Sequence, residues 1–281
     1  MPKRRLQSLL SPFIVSIMAL VLLIPAVTVA ADKQQQLLNE VFELAGINTL
    51  FMQMPLLIES TFEQMTAQKV DARIDEVEII MTRAFAPRKL RNNAIDYISD
   101  QLTVKQLKQV RKQLNTPLAL KVTALENAAT EADSTAKMMA YAQGLQSNPP
   151  ADARIELIAD LINASNAVES SLAVRTEFFR GFLEAASQLD PVEERMSSKQ
   201  IDEQIDMLRG QMEESTAQEV ILAFLYTYQS LKDNELERYI DMYKDNSMAK
   251  FTAEINKAIA HSFRAAGKVM LKDMNTKLRV S

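Results

Sequence analysis

Apolar positions recur along most of this chain at the three- and four-residue spacing that places them on one face of a helix. Leu37, Leu38, Val41, Phe42 and Ala45 make one such face, and Gly46 suits the left-handed residue that ends a helix. Helix is predicted again from Asn48 to Met65 with an interruption at Pro55, from Asp71 to Thr82, and from the first-turn proline Pro87 through Ile98. Thr103 and Gln106 form a capping-box pair that opens a helix to Leu114. Thr116-Pro117 then supplies an N-cap and first-turn proline for one long Ala-rich helix from Leu118 toward Tyr141. Asn148-Pro149-Pro150 is the clearest break, because paired prolines cannot continue a helix. Beyond it the pattern predicts helices at 151–163, 166–188, 192–229 with interruptions, 233–243 and 247–277, Asp190-Pro191 marking the third start.

Sliding the chain by 129 residues aligns 94–129 with 223–258 without a gap and gives nine identities in 36 positions, among them Tyr97/Tyr226, Leu107/Leu236, Lys121/Lys250 and Asn127/Asn256. Chance at about one in twenty would give about two. Two related halves are therefore expected, residues 32–147 and 151–281, joined by a linker at 148–150. The fold class this implies is all-α, a duplicated array of antiparallel helix pairs around one shared core or two abutting ones.

The segment YTYQSLKDNELERYIDMYKDNSMAK, residues 226–250, resembles the bacterial domain-of-unknown-function family 2059 of exported proteins. Glu235-Leu236, Met242-Tyr243 and Lys250 match its acidic-Leu helix start, aromatic pair and lysine, whereas Asn246-Ser247-Met248 lacks the proline and glycine of its turn. The earlier segment QLTVKQLKQVRKQLNTPLALK keeps Leu107, Thr116-Pro117 and Lys121, with Leu114 in place of the tyrosine. The resemblance covers about a third of the chain beyond residue 31 and implies an exported, periplasmic helical protein without an assigned activity.

The N-terminus breaks the helical rhythm. Lys3, Arg4 and Arg5 precede an apolar run from Phe13 to Ile24, then Pro25 and the small-residue stretch ending at Ala30 and Ala31. This is the pattern of a signal peptide over residues 1–31, cleaved after Ala30 or Ala31. As an uncleaved anchor the run falls short of the roughly 20 apolar residues that cross a hydrocarbon core. No transmembrane anchor is expected after cleavage, and no cysteine offers a lipidation thiol or a disulfide. The whole chain carries a formal charge of −4; without the three basic residues of the leader, which holds no acid, it is −7, which argues against a nucleic-acid partner. Composition adds five glycines, nine prolines and 47% hydrophobic residues, in keeping with helix.

Candidate chemistry is sparse. His261 is the only histidine, which excludes the usual zinc ligand sets and a Ser-His or Cys-His nucleophile. It falls opposite the face formed by Phe251, Ile255, Ile259, Phe263, Ala266 and Met270, so a solvated histidine is expected. The outer face of the same helix carries Lys250, Lys257, Arg264 and Lys268, read either as a contact for anionic lipid or an acidic partner or as a solvated stripe. Fifteen methionines invite a Cu(I) reading, but their spread favours core filling. Carboxylates such as Asp75, Glu76, Glu78, Glu213 and Glu214 declare no pairing, and isolated Gly181, Gly210 and Gly267 form no phosphate loop and read as close helix contacts. No catalytic residue, metal site or cofactor is predicted. The expected function is a non-catalytic binding or interaction protein of the periplasm with an envelope protein or lipid as partner; an envelope hydrolase using buried carboxylates and a lipid-binding module with its cavity between the halves are the alternatives.

Overall fold

The computed structural model describes residues 24–56, 58–59, 72–131, 133–189 and 191–277. Within these, every regular element is a helix: α1 Ile24–Leu44, α2 Ile47–Met52, α3 Ala72–Ala84, α4 Pro87–Ser99, α5 Val104–Leu114 and α6 Pro117–Ala128. There follow α7 Ser134–Leu145, α8 Asp152–Ser165, α9 Ala167–Leu189, a 3-10 turn Val192–Glu194, α10 Ser198–Thr227, α11 Asp233–Met242 and α12 Asn246–Lys277. Among them no helix is long and apolar enough to cross a membrane. Lys3-Arg4-Arg5 and most of the apolar run from Phe13 lie outside the described residues. Ile24, Pro25 and the expected cleavage residues Ala30 and Ala31 are part of α1, with Pro25 in its first turn.

Local chemistry sets most boundaries. Gly46 takes φ 68° between α1 and α2, a conformation that costs a side-chain-bearing residue about 1–2 kcal/mol. Thr103 and Gln106 close a full capping box on α5, each side chain satisfying the other's backbone amide. Thr116 Oγ1 accepts from the amide of Ala119 to open α6, and Asp245 Oδ1 does the same for Ser247 and Met248 at the start of α12. Two expectations fail. The long Ala-rich helix divides at Ala129–Asp133, where the Thr130 hydroxyl turns back onto the Asn127 carbonyl and α7 starts afresh. The third helix of the second half begins not at Pro191 but at Ser197, whose capping box with Gln200 follows the 3-10 turn.

The starts of α5 and α6, Val104 and Pro117, lie 129 residues before those of α11 and α12, Asp233 and Asn246. Leu102 and Leu231, Leu107 and Leu236, Val110 and Tyr239, Ala119 and Met248, and Val122 and Phe251 are buried at matching positions. The packing of these helices is crossed. α12 lies against α3, α4, α5 and α9, its Met248, Phe251, Ile255 and Phe263 entering the core built on α1–α5. Conversely α6 reaches α11, and its Val122 belongs to a second, smaller core with Ile158, Leu161, Leu225, Tyr228, Leu236 and Tyr239. Each core therefore draws on both sides of the 148–150 break. Gly181 and Gly267 let α9 and α12 approach closely, since a Cβ built on either would sit 3.6 Å from the other's Cα. Gly210 has open space around it and marks no such contact.

Candidate functional site: an apolar chamber with one half-buried carboxylate

Where the two cores meet, α6–α10 and α12 enclose a partly open chamber of about 1070 Å³. Binding sites for small organic ligands commonly span about 300–1,000 Å³ and combine apolar walls with a few placed polar groups. Leu50, Met54, Met138, Leu161, Val174 and Ile259 provide aliphatic and thioether wall, and Phe178, Phe179, Phe224, Tyr226, Tyr228 and Tyr243 add aromatic surface. The break after Ala128 matters here: it lets α7 fold against α10 and bring Ser134, Thr135 and Met138 to the rim. α12 runs on uninterrupted and supplies Asn256 and Ile259.

Glu126 is the only carboxylate among the described lining residues. It lies one turn beyond buried Val122 on α6, so helix geometry directs it inward. The Tyr228 hydroxyl donates to its Oε1 at 2.7 Å and the Tyr239 hydroxyl to the same oxygen at 3.3 Å. With that proton committed, Tyr239 accepts from Tyr243, whose hydroxyl lies 3.2 Å away. Burial pushes the Glu126 carboxyl above its ordinary range, the two phenol hydrogen bonds acting the other way. Burial and the nearby carboxylate raise all three phenols, that of Tyr243 to about 12, so they remain donors at neutral pH.

The cluster is held from outside. Arg154 donates to the Tyr228 carbonyl at 2.5 Å and pairs with Asp233 at 2.8 Å, fixing the turn between α10 and α11. Lys121 Nζ reaches both oxygens of Glu235 at 2.9 and 3.0 Å, tying α6 to the start of α11. That contact, with the amide of Lys232 as the larger cause, lowers the Glu235 pKa. Asn256 Nδ2, also on the wall, is buried without a partner, a donor that a bound acceptor would satisfy.

The residues singled out in the sequence lie elsewhere. Lys257 pairs with Glu254 at 3.0 Å one turn away, and Arg264 with Glu177 of α9. Lys268 borders a separate polar cleft of about 310 Å³ with Arg180, Glu184 and Asp202, while Lys250 is exposed. The four cations are thus not one unpaired surface. His261 is exposed, as expected, and packs on Tyr97 with ring centroids 5.0 Å apart. Met248, Met270 and Met274 are buried in the first core, and Met54, Met138 and Met212 line the chamber. Glu126 escaped sequence reasoning because an acid on an Ala-rich helix reads as solvated; its alignment with Ile255 at offset 129 was the available signal.

Comparison with family models, curated proteins and solved structures finds no match to this chain.

Proposed function

We propose that this chain is an exported, non-catalytic binding protein that holds a largely apolar small molecule or lipid in the chamber between its two cores. One observation supports the reading above the others: a space of about 1070 Å³ with a largely apolar wall of aliphatic and aromatic side chains, and a hydrogen-bonded Glu126–Tyr228 pair among its polar groups. A hydrolase with paired acids needs two carboxyls facing one another across the bond to be cut. Glu126 stands alone on the described wall, so that alternative has no second acid there. Export rests on the leader-like segment, Lys3 to Ala31, and on the resemblance to a family of exported helical proteins.

The test is fluorescence titration of the purified chain with N-phenyl-1-naphthylamine, a neutral apolar dye. One equivalent is expected to bind, and Ala223→Trp or Val174→Trp, which put an indole on the chamber wall, should weaken it at least about tenfold, ~1.4 kcal/mol. Dye binding unchanged in both variants, with the fold intact by circular dichroism, would place the apolar site elsewhere and refute the proposal.

A further inference from the structure

The chamber wall is unbalanced in charge. Its one cation among the described residues, Arg175, is committed to Glu219 at 2.6 Å, outside the lining. Lys121, on the same helix as Glu126, is taken by Glu235. Among the described residues no lysine, arginine or histidine pairs with Glu126. A carboxylate withdrawn from water is costly unless a counter-charge or sufficient hydrogen bonds meet it. The phenols of Tyr228 and Tyr239 both use Oε1, which leaves Oε2 for a ligand.

The hydrogen-bond directions fix what that oxygen is prepared for. Two donors aimed at Oε1 satisfy that oxygen, so Oε2 is the one that meets a cation when the carboxyl is ionised. Around it stand the rings of Phe224, Tyr228 and Tyr243, with Tyr228 and Phe224 edge to face at 5.3 Å. Aromatic faces attract cations, most strongly where water is excluded, and rings beside a carboxylate suit an ammonium group. An anionic head would meet the same wall with like-charge repulsion.

We propose that the ligand of the chamber is a cationic amphiphile, its amine or quaternary ammonium set against Glu126 among the tyrosine and phenylalanine rings and its apolar body lying along Met54, Met138, Leu161 and Ile259. This rests on the chamber being the binding site. The assignment follows from the unpaired carboxylate, the aromatic surround and the apolar remainder. The ionisable groups facing Glu126 are Tyr228 and Tyr239, with Tyr243 behind them, and none supplies a positive charge.

Three probes of equal chain length decide it: dodecyltrimethylammonium, dodecanol and dodecanoate, each below its micellar concentration, displacing the naphthylamine dye from the purified chain at pH 8. The cation is expected to displace dye at about a tenfold lower concentration than either of the others, the factor equivalent to ~1.4 kcal/mol. Glu126→Gln should erase that preference, whereas Tyr228→Phe, which keeps the charge, should retain it. The wild-type preference should also shrink as pH falls and the carboxyl protonates, a readout that holds even if Glu126→Gln folds poorly. Equal displacement by all three probes, a preference for dodecanoate or dodecanol, or a cation preference that survives in folded Glu126→Gln would overturn the assignment. If the dye binds and is blocked by Ala223→Trp, such a result defeats the ligand class alone. If the dye is not blocked, the chamber reading falls first.

Discussion

The core around Phe85 and the core around Tyr239 use helices from the same two aligned segments, yet the first is hydrocarbon and the second holds a carboxylate and three phenols. Phe42, Phe51, Phe85 and Phe263 are sealed among Leu, Ile and Met in the first. In the second, Tyr239 stands where the first segment has Val110, Tyr243 where it has Leu114, and Tyr228 where it has Ser99. Glu126 in turn occupies the position of Ile255. Because α6 and α12 cross over, all four differences meet in one place. The two aligned segments thus contribute to one apolar core and to a second that gathers polar groups beside the chamber.

The sharpest way to break that contrast is to open the first core. Phe85 is fully buried, with the rings of Phe178 and Phe263 centred 5.8 and 5.9 Å away. Phe85→Ala should cost about 3–5 kcal/mol in urea denaturation, the range for a buried phenylalanine that leaves a cavity. A loss below about 1 kcal/mol would mean that this core relaxes freely and is not the stabilising one. The second core should respond much less when its polar groups are removed together. Glu126→Leu with Tyr228→Phe takes away acceptor and principal donor at once, and the Tyr239 hydroxyl keeps its contact with Tyr243. Replacing both partners by apolar groups of similar shape is nearly neutral, so stability is expected within about 1 kcal/mol of the parent. A larger drop would show that the cluster holds the second core together and is not kept for a ligand.

How much of this was readable beforehand depends on whether the cause was local. The starts of α4, α5 and α6, the left-handed Gly46 and the buried face of α12 follow from residues a few positions apart, and all were legible. The division at Ala129–Asp133 was not: Ala128, Ala129 and Ala132 favour helix, and the turn depends on where α7 can pack against α10. Ser197 and Gln200 carried a capping signal that Asp190-Pro191 overshadowed. The site was the least legible part. Glu126 lies about a hundred residues from Tyr228 and Tyr239, and only the crossing of α6 onto α11 joins them.

The gentlest probe of the contrast is pH. In the unfolded chain Glu126 titrates in the ordinary carboxylate range; in the fold burial raises its pKa above that range. Below the ordinary range both states are protonated and the group costs nothing. As pH rises between the two values the unfolded chain releases the proton while the fold still holds it, so the folded state binds more protons and stability declines with pH. Above the raised value both are ionised and the loss is complete. The hydrocarbon core contributes no such slope. Glu235, lowered by the Lys232 amide and Lys121, acts in the opposite sense, its stabilisation present above the ordinary range and lost as pH falls through its own lowered value. It is common to the parent and to Glu126→Gln, so the difference between their urea midpoints isolates Glu126. Glu126→Gln should gain on the parent as pH rises from the acid side, then run parallel. A difference that stays flat, or that falls with pH, would show that the carboxylate is already stabilised in the empty chamber, and an ammonium ligand would then have no uncompensated charge to meet.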